Sequence, residues 1–249
     1  MVERMKKLLT TIGLSLSLTL PTLAVTPGRD TLDLPDYSNA ALGCMILLEC
    51  MKGVEQIHAD YKFEKFLPEM ADEASRIIVA LDKINVGVYI GDTKYFPRYL
   101  NGIYKPDYNR FFIRRDLLDD PRAFLSTLRH EGWHTVQDCM AGGVENPFIA
   151  QVYHDDQIPN WVKARADQLY GLAGQGAAIP WEADAIWAAN QKGETARGLE
   201  ACANKTLYKE YPPTPKTKEW LIGCGFMKPE GKYYPYHENK KKQECIPKK

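Results

Sequence analysis

Apolar and polar positions recur along this chain with two periods, and the switches between them predict its elements. Ala41, Leu42, Met45, Leu47, Leu48, Met51, Val54 and Ile57 recur at three- and four-residue intervals, which predicts a helix over 39–58. A second helix is predicted over 64–83, broken near Pro68. Asn85-Val86-Gly87-Val88-Tyr89-Ile90 then reads as a strand. Gly102-Ile103-Tyr104 and Phe111-Phe112-Ile113 flank the turn-rich Pro106-Asp107-Tyr108-Asn109, as in a hairpin. Helical spacing returns with Phe124, Leu125, Leu128, Val136 and Met140. Asp119-Asp120-Pro121 supplies a cap and a first-turn proline, and Gly142-Gly143 closes the element. Pro180 opens another helix, with Trp181, Ala185 and Trp187 expected to be largely buried, and helical character continues to about residue 204. The expected fold class is α+β, a mainly helical body with a small antiparallel sheet or hairpin.

Both ends differ from this pattern. Arg4, Lys6 and Lys7 precede an apolar run from Leu8 to Leu20, and Thr22-Leu23-Ala24 offers small residues where a signal peptidase reads. Residues 1–24 are therefore read as a secretory signal cleaved after Ala24, with a secreted or periplasmic product. The run is too short for a comfortable membrane span, and no cysteine follows it to carry a lipid anchor. Residues 25–204 form the expected domain. Residues 205–249, rich in Lys, Tyr and Pro, form a cysteine-containing tail packed on it.

Loss of Arg4, Lys6, Lys7 and Glu3 leaves 29 basic residues against 31 acidic ones, from 32 of each in the whole chain. That balance gives no reason to expect a nucleic-acid or membrane partner. All six cysteines (Cys44, Cys50, Cys139, Cys202, Cys224 and Cys245) follow the signal, and no C-x-x-C is present. An even count in a secreted chain predicts three disulfides, with 15 pairings open. The favoured pairing joins Cys139 to Cys44 or Cys50 and leaves the others to tie down the tail.

The chemistry lies in Arg129-His130-Glu131-Gly132-Trp133-His134. Residues four apart on a helix are rotated by only about 40°, so both imidazoles leave one face one turn apart. Two neutral imidazoles so placed can hold Zn²⁺, with Glu131 in reach of water at the metal. Gly132 should cost about 1 kcal/mol relative to alanine within a helix, which suggests a close approach there. A catalytic zinc site needs a third protein ligand and an open fourth position. Gln137 and Met140 stand where the metzincin pattern requires Gly and a third His, so that pattern does not apply. Glu182, near the start of the Pro180 helix, is the third ligand expected. Its plainer alternative is a carboxylate complementing its own helix N-terminus.

His130, His134 and the downstream Glu182-Ala183-Asp184-Ala185 resemble the gluzincin metallopeptidases, over about residues 100–190. In that group a helix tens of residues beyond H-E-x-x-H carries a ligand glutamate, in an E-x-x-A or E-x-x-x-D context. Ile186 departs from the second form. The resemblance implies His130, His134 and Glu182 as zinc ligands and Glu131 as general base. Asp167-Gln168-Leu169-Tyr170-Gly171 is similar to part of the aspzincin motif, but Ala164-Arg165 replace the expected Gly-Thr. Asp167 and His154 are the rival third ligands, and Tyr153, His154 and Tyr170 the open choices for an oxyanion donor.

The expectation is a monomeric secreted zinc metallopeptidase acting on a peptide or protein substrate. An edge strand beside the metal would bind that substrate by strand addition. A zinc amidohydrolase with a non-peptide substrate, an inactive zinc-site descendant, and a disulfide-stabilised binding protein are the alternatives.

Overall fold

The computed structural model describes residues 37–144, 148–171 and 175–230. The stretch expected to be a secretory signal, residues 1–24, and the end of the tail lie outside them. Helix α1 (Tyr37–Ile46) leads to strand β1 (Val54–Ile57), then α2 (Pro68–Lys83), β2 (Gly87–Gly91), β3 (Gly102–Lys105) and β4 (Arg110–Arg114). The long α3 (Pro121–Met140) follows, then α4 (Asn160–Ala166), α5 (Ile179–Ala189), α6 (Glu194–Ala203), α7 (Leu207–Glu210) and α8 (Pro215–Gly223). The fold is α+β and mainly helical. No helix among the described residues is long and apolar enough to cross a membrane.

The four strands lie in the order β1-β2-β4-β3. The hairpin is present as antiparallel β3/β4, and β1 also pairs antiparallel with β2. The central pair β2/β4 is parallel, so the sheet is mixed and not purely antiparallel. Residues alternate sides along each strand. Val88, Ile90, Phe111 and Ile113 join the main core with Ile77, Ile78 and Leu81 of α2 and Phe124, Leu125 and Leu128 of α3. Tyr89 and Phe112 stack on the opposite face and pack with Met45 and Ile46 of α1. Covering both faces explains the near-continuous apolar runs in β2 and β4.

Two helix boundaries differ from expectation. The helix expected over 39–58 stops at Ile46, and Val54–Ile57 forms β1. Leu48 and Gly53 adopt positive φ of 60° and 84°, reversing the chain, and pairing with β2 then outweighs the helical spacing. Pro68 does not break α2 but opens it, where a missing N–H costs nothing.

Helix α3 begins as expected. The Asp120 carboxylate accepts from the N–H groups of Arg122 (3.2 Å) and Ala123 (3.1 Å), and Pro121 occupies the first turn. Beyond this start α3 is buried on nearly every side, between the sheet, α2, α5 and α6. Gly132 explains part of that packing: a Cβ there would lie 2.9 Å from Thr195 Cγ2 on α6. Its need is helix contact, not approach of metal or substrate.

The cysteine pairing departs from the favoured one. Cys44 pairs with Cys50, and Cys139 with Cys202. Gly193, with φ 77°, reverses the chain between α5 and α6, so α6 runs back along α3 and returns Cys202 to the end of α3. Cys224 is also disulfide-bonded. Such bonds fit an oxidising compartment. The Cys139–Cys202 bond closes a loop with a sequence separation of 63. Replacing both cysteines by alanine is expected to lower stability by about 4 kcal/mol, read as a lower urea midpoint.

Residues 205–230 are less peripheral than a surface tail. Leu207 and Tyr211 belong to the main core, and Leu221, Phe226 and Met227 form a smaller cluster against Phe148 and Trp220.

Candidate metal centre

His130 and His134 project from one face of α3, and their ring centroids lie 4.9 Å apart. Helix α5 packs across α3 and delivers Glu182 from its first turn. Glu182 Oε2 lies 3.2 Å from His130 Nε2 and 3.5 Å from His134 Nε2. One ligand atom from each of the three side chains falls within 4.8 Å of the others. Asp167 and His154 are outside this group. Asp167 is exposed beyond α4, and His154 is half exposed with Asp156 3.6 Å away.

The donor set suits zinc: two imidazoles and one carboxylate leave a fourth position open. Glu182 Oε2 is buried and makes no hydrogen bond among the described residues, although it faces both imidazoles. Charge points the same way. Burial alone would raise Glu182, but His134 and His130 hold its carboxyl well below the usual range. Burial pulls His134 down, yet Glu182 outweighs it and pushes the imidazole up to about 9. The mutual shifts show that positive charge is favoured beside this carboxylate, which a divalent cation would also supply.

Glu131 lies beside the group and is 5 % exposed. Burial pushes its carboxyl up, with the negative charge of Glu182 contributing. Its Oε2 accepts the main-chain N–H of Tyr104 at 3.0 Å, which leaves Oε1 for another partner. The Tyr104 hydroxyl donates to Asp138 Oδ2 at 2.5 Å. One residue of edge strand β3 thus grips α3 at two points, two turns apart. Gly102 permits this approach, since a Cβ there would stand 2.6 Å from Thr127 Cγ2, 3.0 Å from the Phe112 carbonyl oxygen and 3.1 Å from Glu131 Cγ. Gly102→Ala is expected to cost about 1–3 kcal/mol by overpacking, measured by urea denaturation.

Among the oxyanion-donor choices, Tyr170 is the one at the centre. It is buried, and burial together with Glu182 pushes its phenol up, so it remains a donor. Tyr153 is engaged elsewhere: its ring stacks on Trp133 at 5.3 Å and its hydroxyl donates to Glu194.

A supporting layer was not legible in the sequence. His134 Nδ1 lies 2.8 Å from Gln137 Oε1, and Gln137 Nε2 donates to the Trp181 carbonyl (2.8 Å) and to Asp184 Oδ2 (2.7 Å). Asp184 also accepts from Trp133 Nε1, Val152 N and Tyr153 N. Burial pushes its carboxyl up to about 6, and these four donors oppose that rise. The one available signal was spacing, because Gln137 stands one helical turn beyond His134. No protein family, curated protein or solved structure matches this chain.

Proposed function

We propose that this chain is a secreted or periplasmic zinc-dependent metallopeptidase of gluzincin type, exported by the signal in residues 1–24 and acting as a monomer on peptide or protein substrates. The observation that carries this reading is the convergence of His130, His134 and Glu182 on one buried carboxylate oxygen beside Glu131. These three residues would hold the ion. Bound zinc would supply a Lewis acid that polarises a carbonyl and brings the pKa of water from 15.7 toward about 7.

The remaining work belongs to the chain. Glu131 receives a proton on Oε1 while the Tyr104 N–H holds Oε2, and later returns it to the leaving amine. A raised carboxyl suits both transfers, because its proton affinity lies closer to the working pH. The Tyr170 hydroxyl, which hydrogen-bonds the Glu182 carboxylate, would be the donor for negative charge developing on the substrate carbonyl. Among the described residues strand β3 has a neighbour on one side only, so an extended peptide would lie along it.

The test is metal content with cleavage of a mixed peptide library. The mature protein is expected to hold about one zinc, lose cleavage after chelation and regain it on zinc addition. Bound zinc without cleavage would overturn the peptidase reading and point to a non-peptide amide or a binding role. Absence of bound zinc would overturn the metal centre.

A further inference from the structure

We infer that Gln137, one of two residues that separate this chain from the metzincin pattern, is a positioning residue that locks His134 and helix α5 into one metal-binding unit. The inference rests on the zinc reading above and deepens it. Gln137 is fully buried in the last turn of α3. Its amide nitrogen faces two acceptors, the Trp181 carbonyl at 2.8 Å and Asp184 Oδ2 at 2.7 Å. A backbone carbonyl can only accept, so the NH₂ of Gln137 must point toward α5. The amide oxygen therefore points the other way, toward His134 Nδ1 at 2.8 Å.

An amide oxygen can only accept as well, so Nδ1 must carry a proton and Nε2 is the nitrogen left to face Glu182. A carbonyl on α5 thus sets the tautomer of a histidine on α3 through one side chain. The same side chain also sets where the third ligand stands. Trp181 and Asp184 flank Glu182 by one residue on one side and two on the other, and Gln137 holds both. Trp133, one turn earlier on α3, reaches the same Asp184 carboxylate through Nε1 at 3.2 Å. The grip on α5 is therefore made by α3 side chains that are not among the proposed ligands. His130 lacks an equivalent: its Nδ1 is buried without a hydrogen-bond partner among the described residues.

Met matches glutamine in length but neither donates nor accepts strongly. The test compares the zinc dissociation constant of the parent and Gln137→Met, by competition with a chelator, alongside urea midpoints of both zinc-free proteins. A zinc constant raised about 10–100-fold in the variant supports the inference, the range expected when a metal ligand loses its outer partner. A constant within about twofold of the parent overturns it, whatever the urea midpoints do, because Gln137 then serves packing alone.

A second measurement covers a variant that does not fold. In the zinc-loaded parent, ¹⁵N NMR of His134 is expected to show metal on Nε2 and an exchange-protected proton on Nδ1. Metal on Nδ1, or a rapidly exchanging Nδ1 proton, overturns the inference without touching the zinc site. A parent that binds no zinc overturns the zinc reading itself and this inference with it.

Discussion

Glu131→Gln is expected to lower peptide cleavage about 10²–10⁴-fold while leaving zinc binding intact. The change removes the proton acceptor and little else. An amide oxygen at this position can still accept the Tyr104 N–H, and none of the three proposed ligands is touched. The variant should be at least as stable as the parent. Burial raises the Glu131 carboxyl, so between its ordinary and its folded pKa the folded state binds more protons than the unfolded state. Stability from this group therefore falls as pH rises through that window, and the charged form is a net cost at neutral pH. Glutamine relieves the cost, as expected when a group is kept for chemistry. Cleavage rates, zinc content and melting temperatures of both proteins check the three statements together. Cleavage by the variant at the parental rate would remove Glu131 from the reaction.

Glu73→Ala is expected to destabilise the protein by about 3–5 kcal/mol, the cost of stranding a buried charge. The Glu73 side chain on α2 is only 4 % exposed and takes both arms of the Arg129 guanidinium at 2.6 Å. It also accepts the Gly193 N–H at 3.0 Å, at the reversal between α5 and α6. Removing it leaves Arg129, 18 % exposed and adjacent to His130, with a distant Ala189 carbonyl at 3.5 Å. Arg129→Met should cost a similar amount, and the double variant less than the two losses added, since both singles break one interaction. Urea denaturation of the four proteins measures this. A loss below about 1 kcal/mol for Glu73→Ala would show that water reaches the pair as at a surface.

The elements carrying the proposed metal centre were legible where their signals are local. The Asp120 cap, Pro121 and the four-residue histidine spacing all operate within a turn or two, so they place α3 and set both imidazoles on one face without help from the rest of the chain. Pro180 and Glu182 are similar, since a first-turn proline and a nearby carboxylate follow from helix-end chemistry alone. The hairpin was legible because its strands are separated by one short turn-rich segment. Beyond that reach the local signals misled. Val54 and Ile57 fit a helical spacing and become β1 because β2 lies beside them. The antiparallel expectation failed at β2/β4, where β3 crosses to the sheet edge and leaves β2 and β4 to pair in parallel.

The sequence by itself determined the candidate metal-binding groups, the helix that presents two of them and an even set of cysteines suited to disulfides, because each depends on composition or neighbours in the chain. Tertiary structure alone decided which carboxylate meets the histidines, which oxygen of Glu131 is held by β3, and that Gly102 must carry no side chain. It also decided that Cys139 meets Cys202. Each of these is a contact between residues distant in the chain, created when α5 and α6 fold back on α3 around the reversal at Gly193, and no local preference encodes where two packed helices touch.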